Sequence, residues 1–250
     1  MALLNPAFQR RALWIDVARG GAILAMIAYH ASFDLMFFGL VDWPVAFHPA
    51  WRAFAAAIAS TFLFAVGVSL VYAHGAGIRW RAFWRRFAVI ALFALLVTVG
   101  TVLAMPAPIY FGILHAIALF SLLALPFLRA PVGLTVAVAG LVLLAPAVLT
   151  SPALDAPYLY AIGLGTAQPF TFDYEPVFPW FAVTLLGVAA GRLVARPAPG
   201  ASGYARAGRP LRLLAAAGRN SLAIYVLHQP VLFGLLMLVL YAAGRSAGGG

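Results

Sequence analysis

A chain of 250 residues that is 65% hydrophobic and only 9% charged is not a soluble domain, since globular chains carry roughly a quarter charged residues. The formal charge of +10 comes from arginine without a single lysine, which excludes a lysine Schiff base. The lack of cysteine excludes disulfides, thiolate metal sites and thiol nucleophiles. Repeated apolar stretches near twenty residues predict an all-α, polytopic transmembrane helical bundle, not a β-barrel with its short alternating segments.

Residues 1–11 are short and polar. Arg10 and Arg11 before an apolar run imitate a signal peptide, but Asp16 and Arg19 within that run argue for a retained span. Spans are then expected at about 12–37, 51–74, 83–104, 109–128, 132–149, 177–194 and 213–243. The last includes a short interfacial helix and carries Pro230, expected to kink it. With the N-terminus cytoplasmic, the cytoplasmic segments receive Arg10, Arg11, Arg79, Arg81, Arg85, Arg86, Arg129, Arg192, Arg196, Arg206, Arg209, Arg212 and Arg219. Only Arg52 and Arg245 fall outside. That asymmetry predicts about seven spans with the C-terminus exterior. Arginine placed at the membrane boundary points to the lipid bilayer as partner and not to nucleic acid.

The connections follow this frame. The run Arg79-Trp80-Arg81-Ala82-Phe83-Trp84-Arg85-Arg86 reads as an interface anchor, its arginines snorkelling to phosphates. Residues 197–212 read as a flexible cytoplasmic linker inside one domain of 1–250. The exterior loop 151–176, with Tyr158, Tyr160, Gln168, Asp173, Tyr174 and Glu175, forms either the mouth of a cavity or a solvated aromatic loop. Gly187-x-x-x-Gly191 fits close helix packing.

Chemistry concentrates in the first span. At ~100° per residue, Asp16, Arg19, His30 and Asp34 share one stripe, and ionisable groups inside a span face a bundle interior or a wet cavity. Asp16 and Arg19 are three residues apart. They form either a self-compensating ion pair or an anion site in which Asp16 holds the arginine fork and Gly20 lets a ligand approach. His30 lies about 17 Å further along the axis, with Asp34 one turn beyond, a spacing at which a carboxylate can orient a general base. His48 opens the exterior approach to the second span. His115, Asn220, Ser221, His228 and Gln229 are candidates to line the cavity. Asn220 or Ser221 also suits a helix cap. No histidine pair has metal-ligand spacing, so no metal is expected.

The string Ile15-Asp16-Val17-Ala18-Arg19-Gly20-Gly21-Ala22-Ile23 with Met26 and His30 resembles the opening of the heparan-alpha-glucosaminide N-acetyltransferase catalytic-domain family, especially its compact bacterial members. Further similar strings are Phe62-Leu63-Phe64-Ala65-Val66-Gly67-Val68-Ser69-Leu70, Phe111-Gly112-Ile113-Leu114-His115-Ala116-Ile117, Phe178-Pro179-Trp180-Phe181, and the stretch from Gly218 through Asn220-Ser221 to His228-Gln229-Pro230. The spacing of Arg19 and His30 is also similar to that of the wider membrane acyltransferase superfamily.

The resemblance implies an integral-membrane acyltransferase of the bacterial inner membrane. It would move an acyl group, typically acetyl, from cytosolic acyl-CoA to a hydroxyl or amine of an envelope sugar or similar small acceptor. Arg19 would then hold CoA phosphates, and the Arg19–His30 distance resembles the reach of a pantetheine arm. By the same resemblance His48-Pro49-Ala50-Trp51 matches the catalytic-histidine setting while His30 matches an asparagine, so the base stays divided between His30 and His48. Two other readings use the same stripe: a transporter or flippase, and a non-catalytic membrane protein with this fold. Self-association stays open at this stage.

Overall fold

The computed structural model describes residues 13–104, 107–167, 169–194 and 207–244. These hold helices α1 (Leu13–Phe37), α2 (Pro49–His74), α3 (Trp80–Ala104), α4 (Ile113–Leu123), α5 (Val132–Val148), α6 (Val177–Val194), α7 (Arg209–Arg219) and α8 (Ser221–Ala242). Short 3-10 turns stand at Pro126–Leu128, Pro152–Leu154 and Pro157–Leu159. Each opens with proline, whose missing N–H is harmless at a helix start.

The chain is all-α and multi-pass. Five helices (α1, α2, α3, α6 and α8) are long and apolar enough to cross a membrane; α4 and α5 are apolar but shorter. Large apolar side chains stand exposed on α3 (Leu92, Leu95, Leu96), α5 (Leu141, Leu144) and α8 (Leu227, Leu235, Leu238). In water each exposed side chain of that size forfeits roughly 1.5–3 kcal/mol of burial, whereas lipid tails accept it without cost.

The described residues form two compact units, one within 62–194 and one from 13–61 with 207–244, and the division falls inside α2. In the first unit the end of α2 packs on α6 without intervening side chains. A Cβ on Gly67 would overlap the Thr184 carbonyl, one on Gly187 would overlap that of Phe64, and Thr184 donates from Oγ1 to Leu63 at 3.3 Å. Gly187-x-x-x-Gly191 thus serves close packing, as its spacing suggests.

The loop between α5 and α6 in this unit is built, not merely solvated. Asp155 accepts from Thr166 N–H at 2.6 Å, the Thr166 hydroxyl at 2.7 Å and Ala167 N–H at 3.0 Å. Those donors, led by Ala167, hold its carboxyl below the usual range. Tyr174 donates to the Tyr160 carbonyl at 2.9 Å. Gln168 lies outside the described residues.

In the second unit α1 packs against α7 and α8. Gly20 meets Leu214 and Gly218 meets the Asp16 carbonyl, so α7 descends antiparallel to the start of α1. The chain reverses at Asn220, and α8 returns parallel to α1, pairing His30 with His228, Asp34 with Gln229 and Phe37 with Phe233. The expected short helix before the last span is α7. Of the linker expected over 197–212, residues 197–206 lie outside the described part, and Arg209–Arg212 form the first turn of α7, with Pro210 at its favoured early position. α8 runs as one helix through Pro230.

Candidate functional site

The site is built where α8 lies alongside α1. A backbone that rises 1.5 Å per residue keeps two parallel helices in register over several turns, so polar side chains at matching heights meet. Gln229 donates from Nε2 to Asp34 Oδ1 at 2.7 Å. One residue earlier, the His228 ring packs against that of His30, with centroids 4.8 Å apart and planes at 62°. Asp34 is 3% exposed and His228 9%, while His30 is partly buried.

Hydrogen-bond bookkeeping sharpens this cluster. Buried polar atoms are almost always paired, so each exception calls for a reason. Five buried side-chain atoms lack a partner among the described residues, and three belong here: Asp34 Oδ2, Gln229 Oε1 and His228 Nε2. The His228 tautomer follows from its other nitrogen. Nδ1 sits 2.5 Å from the Tyr225 carbonyl, which only accepts, so Nδ1 carries the proton in the neutral ring and Nε2 presents a lone pair. All three orphan atoms are therefore acceptors.

The expected pairing of Asp34 with His30 is not formed. Among the described residues no hydrogen bond joins them; Asp34 Oδ1 instead accepts from Gln229 on the facing helix, and Oδ2 is left unpaired. A one-helix angular argument places two residues on one face but cannot see a competing donor on another helix. Gln229 and His228, expected only to line a cavity, are the partners that reasoning from the first span missed. The signal available was the polar pair His228-Gln229 inside an apolar run.

His48 is exposed in the connection before α2. Its Nδ1 accepts from Ala50 N–H at 3.2 Å and its carbonyl takes the N–H of Trp51 and Arg52, so it caps α2. In that tautomer the proton sits on Nε2.

His115 is equally committed, within the other unit. Its Nδ1 accepts from Gly112 N–H at 3.3 Å, and Nε2 lies 3.1 Å from Thr98 Oγ1, which donates onward to the Ile109 carbonyl at 2.7 Å. The ring clamps the start of α4 to α3, and the cavity-lining expectation for it gives way to a structural one.

Asn220 turns its side chain back, donating from Nδ2 to Ala216 at 2.9 Å. It closes α7 without capping α8, and Ser221 is merely the first residue of α8.

At the other end of α1, Asp16 is buried within the first turn, where a carboxylate suits the helix dipole, and Arg19 is partly buried. Gly20 does not face a ligand. The close approach it permits is that of the Leu214 backbone, so its small size serves the α1–α7 contact. α7 brings exposed Arg219 to the same end of α1, while Arg212 and Arg209 stand progressively further along it. Among the described residues no group of three potential ligands could hold a metal ion.

A multi-pass membrane protein in which a buried and a partly buried imidazole meet beside a carboxylate is suited to moving protons at an enclosed nucleophile. The heparan-alpha-glucosaminide N-acetyltransferase catalytic family model matches residues 11–230, and the chain belongs to that family. It is accordingly a membrane acetyltransferase that draws on an acyl-CoA donor. No curated protein and no solved structure matches the chain.

Proposed function

We propose that the protein transfers acetyl from cytosolic acetyl-CoA to the amine of an envelope amino sugar, across a bacterial inner membrane, with residues 1–250 acting as one domain. The observation that carries the choice of amine is the set of orphan acceptors at Asp34 Oδ2, Gln229 Oε1 and His228 Nε2. An ammonium group brings three N–H donors to such a cluster, whereas a hydroxyl brings one and leaves buried acceptors unpaired, at about 1–3 kcal/mol each. The same asymmetry lets a site built around donors or acceptors discriminate strongly.

The donor end is the cytoplasmic start of α1. Arg19 suits the phosphates of CoA, held in place by Asp16, and Arg219 at the end of α7 adds positive charge beside it. About 17 Å of helix then separates Arg19 from His30. The parallel course of α1 and α8 supports a chain that begins and ends on opposite faces, with an odd number of crossings, the N-terminus inside and the C-terminus outside.

The test uses the full chain in nanodiscs with isotope-labelled acetyl-CoA. Glucosamine-type acceptors with a free amine are expected to gain label, and matched sugars with a blocked amine are not. Label on the blocked sugars at an equal rate would overturn the amine assignment. Arg19→Ala is expected to weaken acetyl-CoA binding at least tenfold, or about 1.4 kcal/mol, as for a lost charge-assisted contact. Unaltered binding in a folded Arg19→Ala protein would remove it from the donor site.

A further inference from the structure

We infer that His228 is the general base of the reaction, with His30 as its packing neighbour and Asp34–Gln229 as the pair that holds the incoming amine. This rests on the acetyl-transfer reading above and adds to it the atom that takes the proton.

A general base needs a free lone pair, a fixed ring, and shelter from bulk water. His228 meets all three. Its Nδ1–H is anchored on the Tyr225 carbonyl of its own helix, the arrangement that commonly sets a histidine tautomer. Its Nε2 is buried with no partner among the described residues, and the residue is 9% exposed. The residue on its C-terminal side, Gln229, grips the one carboxylate of the cluster.

The rival histidines fail on different counts. His30 has ring contacts to Tyr29 and His228 but, among the described residues, no hydrogen bond that orients either nitrogen. His48 is exposed and spends Nδ1 on the Ala50 amide.

The step balances as follows. One proton of the substrate ammonium passes to His228 Nε2, which frees the nitrogen lone pair. That pair forms the C–N bond to the thioester carbonyl carbon while the C–S bond breaks. The nitrogen gives up a second proton to the departing thiolate, which leaves as the CoA thiol, and the imidazolium returns its proton to water.

His228→Asn is the sharpest variant, because the asparagine amide can still donate to the Tyr225 carbonyl while nothing replaces Nε2. Expected is a fall in kcat of at least ~100-fold, the range for a lost general base, with acetyl-CoA binding retained. In His228→Ala, added imidazole is expected to restore part of the loss, and this arm decides alone where the asparagine variant does not fold. Activity in His228→Asn within about threefold of the wild type, against a base worth at least ~100-fold, or no imidazole rescue of His228→Ala, would overturn the assignment. A matching loss in His48→Gln or His30→Asn would then relocate the base and leave the acetyl-transfer reading standing. A wild-type protein that labels no amine overturns both.

Discussion

His115 and His228 are both histidines set in apolar helices, yet they end in opposite states. His115 has each nitrogen engaged, one by the Gly112 amide and one by Thr98, so its ring is a fastener between α3 and α4. His228 has one nitrogen engaged and the other buried and empty. A fold gains from satisfying a buried polar atom; leaving one unsatisfied costs free energy that only a ligand returns. The distinction between structural and functional histidine therefore lies in the unpaired atom, not in burial or residue type. The largest expected effect exploits this: His228→Asn abolishes turnover while the thermal midpoint stays within a few degrees. Were it to lower stability and spare turnover, the comparison would be reversed.

Asp34 offers the next largest effect. Asn at 34 keeps the shape and can still accept from Gln229 at Oδ1, but it presents an N–H₂ where Oδ2 stood. A donor then meets a donor of the substrate. The KM for the amine is expected to rise about tenfold to a hundredfold, from the ~1.5–3 kcal/mol of a charged hydrogen bond, with the KM for acetyl-CoA unchanged. Equal changes in both constants would place Asp34 outside the acceptor site. His115→Ala is the smaller, opposite case. It strands the Gly112 amide at the start of α4, and stability is expected to drop by about 1–3 kcal/mol in a denaturation measurement, with turnover per folded molecule near that of the wild type.

Much of the fold could be read from hydropathy because lipid demands long apolar runs and closed backbone hydrogen bonding. The sixth expected span, 177–194, coincides with α6, and the short helix before the last span appears as α7. The site was half legible. The stripe on α1 drew attention to Asp34 and His30, since ionisable groups in a span reveal themselves by type alone. What the stripe could not reveal was the partner helix. Gln229 lies 195 positions from Asp34 in sequence, and only tertiary packing shows its amide on that carboxylate. Gly20 teaches the same point, for a glycine beside a charged residue reads equally well as ligand access or helix contact until Leu214 is seen against it.

The smallest effect concerns a buried acid outside the membrane spans. Glu175 sits in the connection before α6, its N–H donating to the Phe111 carbonyl at 3.0 Å, with Oε2 buried and unpaired among the described residues. Burial, reinforced by the nearby Asp173 charge, pushes its carboxyl up to about 9. The neutral acid is thus the form the folded loop prefers. In the unfolded chain the same group ionises near pH 4.5. Between these values the folded state holds the extra proton, so this contribution to stability is complete below pH 4.5 and is lost as pH rises through 9. Glu175→Gln keeps a neutral side chain of the same size and removes the titration. Its thermal midpoint is expected to match the wild type near pH 4.5 and to exceed it by a few degrees at pH 8 to 9. Midpoints that run parallel across that range would show that Glu175 reaches water in the folded protein. Glu175 would then join the paired and solvated groups, not the buried orphans typified by His228.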